Sequence, residues 1–242
     1  CTAEEYIAYI KSLPTLSAQH VQETSHDMEH MAVSAHGGYQ NSVDIHMYNV
    51  QFLRGLLPNE IAFNITESGR PVTDMELVHD KIMHLILVRS DLRYFDHIHP
   101  QQIKPGVFSV PYTFFAPGDY RIWIDFTING MQHIVDFDIT MSGNTLPELD
   151  SLSGINIRLN TEKIAAGKNT LSFSVTDMND KPLAITERFL AADAHMIVID
   201  ESLEEFGHTH DEAFDKDNSL SFEYKFVKSG LHKLWVQFSV NG

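Results

Sequence analysis

Hydrophobic and polar positions along this chain alternate in short runs. Segments rich in Val, Ile, Phe, Tyr and Thr cover residues 44–52, 60–66, 83–88, 106–114, 118–127 and 132–140. A second series covers 155–160, 170–176, 194–199, 219–226 and 231–240. Turn-forming residues separate the runs, and little helical periodicity lies between them. Many short strands at this spacing predict an all-β protein built from antiparallel sandwiches of immunoglobulin-like or cupredoxin-like type.

The two series are copies of one another. Gly69-Arg-Pro-Val-Thr, Met83-His-Leu-Ile-Leu-Val, His97-Ile-His and Gly118-Asp-Tyr-Arg-Ile-Trp123 answer to Asp180-Lys-Pro-Leu, Ala194-His-Met-Ile-Val-Ile, His208-Thr-His and Gly230-Leu-His-Lys-Leu-Trp235. Pro71 and Pro182 differ by 111 positions, and Gly118 and Gly230 by 112, so one loop residue has been inserted. A repeat of this length means two similar domains rather than a solenoid. We place them at residues 43–143 and 153–242, joined by residues 142–153, with Trp123 and Trp235 expected in the two cores.

Residues 1–42 differ in pattern. Thr2 and Glu5 have the spacing of a capping box, and Tyr6, Ile7, Ile10 and Leu13 form a helical stripe ended by Pro14, which predicts a short helical leader. His20, His26, Met28, His30, Met31 and His36 follow, a set of imidazoles and thioethers that suits copper. The only cysteine is Cys1. No intrachain disulfide can form, and the cysteine resembles the lipid-bearing first residue of a processed bacterial lipoprotein.

One asymmetry stands out. Asn129-Gly130 turns the chain into a further strand at 132–140, but Asn241-Gly242 has no strand after it in this sequence. The second sandwich is expected to lack its last strand, leaving an edge that further residues or a neighbouring subunit would cover; the latter implies a homo-oligomer or filament.

Candidate chemistry lies in a histidine triple that occurs twice, His84, His97 and His99, and His195, His208 and His210. If Ser90 and Asp91 form a two-residue turn, His84 faces His97 across a hairpin with His99 diagonal. Glu201 and Ser202 would likewise set His195 against His208 with His210 beside them. Three imidazoles without a thiolate suit copper or zinc. Asp96, Asp211, His79 and His232 are candidates for a fourth ligand.

The chain has a formal charge of −16, which disfavours nucleic acid and draws cations. It has no Gly-x-Ser-x-Gly elbow, phosphate loop or zincin helix, so no enzymatic role is expected. The motif His84-Leu85-x-x-Val88-x-x-Asp91-Leu92-x-x-Phe95-x-His97-x-His99-Pro100 resembles that of a group of secreted or lipid-anchored prokaryotic β-sandwich proteins, related to cupredoxin-like and copper-resistance carriers. The resemblance implies an extracytoplasmic, metal-associated protein of the cell envelope or extracellular space. It is weaker in the second copy, where Asp211 stands in place of Pro100.

Overall fold

The computed structural model describes residues 4–10, 48–52, 60–114, 116–141, 155–183, 192–211 and 219–240. Within them the protein is all-β, and the chain divides into two compact units, each a sandwich. The His- and Met-rich part of the leader and the interdomain connection lie outside the described residues.

In the first unit, β2 (Tyr48–Phe52), β3 (Glu60–Glu67), β8 (Val107–Pro111) and β7 (Gln101–Lys104) form one antiparallel sheet, with the short β4 (Arg70–Pro71) beside β3. The other sheet has the order β10 (Met131–Met141), β9 (Gly118–Ile128), β5 (His84–Arg89), β6 (Phe95–Ile98). Ile61, Phe63 and Ile65 of β3 and Phe108 of β8 pack against Leu85 and Leu87 of β5 and Ile122, Ile124 and Phe126 of β9. β7 and β4 were not foreseen from the sequence pattern. β7 is exposed throughout, so no apolar alternation marks it.

The second unit repeats the plan. β11 (Ile155–Leu159), β12 (Gly167–Asp177) and β15 (Ser219–Phe226) form one sheet. The other has the order β1 (Glu4–Ile10), β16 (His232–Val240), β13 (Ala194–Asp200), β14 (Phe206–Asp211). Leu171, Phe173, Phe222, Met196, Val198, Val236 and Phe238 are among its core residues.

β1 corrects the expectation of a helix. Residues 4–10 pair antiparallel with β16 from Glu4↔Val240 to Ile10↔Leu234. The segment is rich in Tyr and Ile, whose branched and aromatic side chains suit a strand, and an edge of β16 was there to receive it. Tertiary pairing has overridden the local capping signal. β1 holds the place beside β16 that β10 holds beside β9, so the edge expected to be bare is paired by the chain's own first strand.

β5 and β13 are buried on both faces. Leu85 and Leu87 point into the sandwich, while Ile86 and Val88, on the opposite face, are also 0% exposed. Trp123 pairs with Ile86, and Trp235 with Ile197, so both tryptophans lie on that second face rather than in the sandwich interior expected for them. Burial on both sides accounts for the nearly unbroken apolar runs of these strands.

Candidate metal centre

The hairpin that carries each triple differs from the predicted one in its turn. Val88 pairs with Phe95, and the Arg89 amide donates to the Tyr94 carbonyl at 3.0 Å, so residues 90–93 form a four-residue loop. Leu92 donates its N–H to the Arg89 carbonyl at 2.7 Å and has a left-handed φ of 59°. The Asp91 carboxylate accepts from the Arg93 amide at 3.0 Å. The second copy has the same turn, with Leu203 at φ 59° and its amide donating to the Asp200 carbonyl, but the loop carboxylate is now that of Asp200, at the position of Arg89, which accepts from the Glu204 and Glu205 amides. Loops of this length are commonly built on such turns.

The longer loop moves the register by two residues. His97 stands opposite Ile86, not His84, and in the second copy His195 stands opposite His210, not His208. A shift of two keeps every side chain on its original face, whereas a shift of one would have scattered the histidines. The predicted pairings are therefore corrected, but the predicted convergence stands.

In the first unit the His84 Nδ1 lies 2.9 Å from His97 Nε2. Ring centroids are 5.2 Å apart for His84 and His97, 5.0 Å for His84 and His99, and 4.7 Å for His97 and His99. In the second, His195 Nδ1 lies 3.3 Å from His208 Nε2, which lies 3.1 Å from His210 Nε2. Each triple offers three ligand nitrogens within 4.8 Å of one another. Bonds of about 2 Å in a tetrahedral arrangement would separate nitrogens by roughly 3.3 Å. The His84–His97, His195–His208 and His208–His210 separations lie close to that spacing.

Both copies also present the same ring atoms. The first histidine turns its Nδ1 inward and the second its Nε2. For His84 the reason is visible. Its Nε2–H donates to the Val78 carbonyl at 3.3 Å, which leaves the lone pair on Nδ1 facing the cluster. Burial pushes the His84 ring down to about 4, with His79 and Lys81 adding to the effect and the Val78 carbonyl opposing it. The ring is neutral at pH 7, the form that ligates. Without a metal, His97 Nε2–H can donate to His84 Nδ1; an ion would replace that proton.

None of the residues considered for a fourth ligand joins either group. Asp96 interacts with the Tyr112 hydroxyl, and Asp211 accepts from the Ser221 amide at 2.5 Å. His232 is bound to Glu205 at 3.2 Å and to the Gly230 carbonyl. His79 acts on His84 electrostatically without entering the triple.

The sequence pattern missed Asp125. This buried residue of β9 pairs with His84 and faces the same side of the sheet, and both of its oxygens accept from Gln132 Nε2 at 2.9 Å. Burial raises its carboxyl to about 6, against the Gln132 hydrogen bonds. Its counterpart opposite His195 is Gln237. Only the pairing of β5 with β9, a long-range contact, brings Asp125 to the site.

A family model described as a domain of unknown function, DUF8832, matches this chain twice, over residues 41–143 and 150–242. The chain belongs to this family. Each DUF8832 copy contains one complete histidine triple, while β1 lies outside both matches. No curated protein matches the chain.

Proposed function

We propose that this protein binds two transition-metal ions, copper or zinc, one in each DUF8832 domain, and holds or hands them over outside the cytoplasm. The observation that carries the reading is the doubled geometry. In both copies three histidines converge, and the first two turn the same ring nitrogens inward at a spacing suited to one small ion. Three imidazoles without a thiolate favour Cu(II) or Zn(II) over calcium or magnesium, and a charge of −16 favours cation uptake. The extracytoplasmic setting extends the resemblance to cupredoxin-like and copper-resistance carriers.

The role is binding rather than catalysis. His84, His97, His195 and His208 are buried, and no nucleophile motif accompanies them. Metal analysis of protein loaded with Cu(II) or Zn(II) tests the reading. Two ions per chain are expected, falling to one when His84, His97 and His99 are all changed to Ala and to none when all six histidines are changed. Unchanged stoichiometry in variants that retain the parent circular dichroism would overturn it. For Cu(II), nitrogen superhyperfine structure in the electron paramagnetic resonance spectrum reports the imidazoles directly.

A further inference from the structure

The edge strand of the second domain comes from a segment that precedes both domains in the chain. In the first domain β10 follows β9 directly through Asn129–Gly130, so the hairpin closes on itself. In the second domain the equivalent position is filled by β1, which lies outside the matched DUF8832 region and is joined to β2 through residues 11–47. Fully extended, a connection of that length reaches on the order of 100 Å.

We propose that β1 is an exchangeable strand, and that Glu4–Ile10 of one copy also completes the second domain of another. The backbone pairings from Glu4↔Val240 to Ile10↔Leu234 are the same whichever copy supplies the strand. The closed and exchanged forms then differ only in the path of the connection and in the entropy of association, which is the condition for strand swapping. The receiving edge rules out a permanently bare state. β16 contributes Leu234, Trp235, Val236 and Phe238, each buried to 2% exposure or less, and an unpaired edge would leave its backbone donors and acceptors open beside this apolar surface. The occupant is a second copy of this chain because the complementary segment is already present in it. Reciprocal exchange gives a closed dimer, and head-to-tail exchange gives an open filament.

Disulfide trapping in the chain of residues 1–242 tests the proposal. In a Cys1→Ser background, protein carrying Glu5→Cys is refolded together with protein carrying Ser239→Cys, in the presence of a chelator so that metal plays no part. A second pair, Glu4→Cys with Val240→Cys, covers the alternate pairing geometry, since neighbouring register positions alternate between close and wide spacing. The expected result is a covalent heterodimer whose link maps to positions 5 and 239 or 4 and 240. The doubly substituted chain should give an internal link plus multimers that increase with concentration. Exchange is overturned if the double variants close only on themselves at every concentration and the mixed single variants give no mapped link. Absence of the mapped link from the double variants as well would overturn the pairing itself.

Discussion

The two domains share their histidine geometry and differ in what supports it. In the first, Tyr112 on the sandwich side interacts with Asp96 of β6. In the second, the corresponding Tyr224 donates to Glu205 at 2.9 Å, and the position matching Asp96 is Gly207. A Cβ at Gly207 would lie 2.1 Å from the Tyr224 ring, so the tyrosine has moved into the space that the aspartate side chain vacated. Glu205 also accepts from the Val227 and Lys228 amides and from His232. The network was rebuilt around a different carboxylate while the imidazoles stayed in place. The triple is thus not a by-product of one particular polar network.

The largest test of this contrast is Glu205→Ala. Burial alone would raise this carboxyl, but hydrogen bonds from His232, the Val227 and Lys228 amides and Tyr224 together hold it below the usual range. Its removal strands four donors, and burial of His232 opposes the charge that Glu205 otherwise sustains. The second domain is expected to lose about 3–5 kcal/mol, measured by urea unfolding. Asp96→Ala, which removes the partner of one hydroxyl, should cost the first domain only about 1–2 kcal/mol. Equal losses would refute the idea that the second network is the more heavily connected.

Acid separates the domains next. His84 sits at about 4 in the fold against 6.5 when free, so its contribution to stability is present above pH 6.5 and is lost as pH falls towards 4. Asp125 has the opposite sign. Raised from 3.8 to about 6, it contributes fully below pH 3.8 and loses that contribution as pH rises through 6. Between pH 6 and 4 the two offset one another. Asp125→Asn removes one side of the balance, and metal-free variant should lose up to about 3 kcal/mol between pH 7 and 4 that the parent retains. Denaturant titrations at stepped pH read the difference.

The smallest effect concerns affinity. A carboxylate across from His84 favours a cation, and Gln237 offers the second site only an amide. Asp125→Asn should weaken metal binding in the first domain about tenfold, and Gln237→Asp should narrow the gap from the other side. Competition titrations with a chromophoric chelator check both. If neither variant changes the order of affinities, these β-strand neighbours do not tune the site.

Much of this architecture was legible because it rests on local rules. Alternation marked most strands, the repeat marked two domains, and the 13-and-2 spacing of the histidines brought each triple together. The register was misread because Leu92 and Leu203 adopt left-handed conformations that nothing in a leucine announces. Convergence survived because the slip was even. β1 and Asp125 were illegible for a different reason: each owes its role to a strand distant in sequence, and no local pattern encodes that neighbour.

The pairing of β1 with β16 also sets a timetable. β1 precedes both domains in the chain and docks on a strand of the second, so during synthesis the first domain can close while the second still waits for its edge. At about 5–20 residues per second, β1 spends on the order of ten seconds or more without its own acceptor. Contacts this distant in sequence also form slowly after release. During that interval, exchange into the β16 edge of an older copy would offer β1 the same backbone pairings.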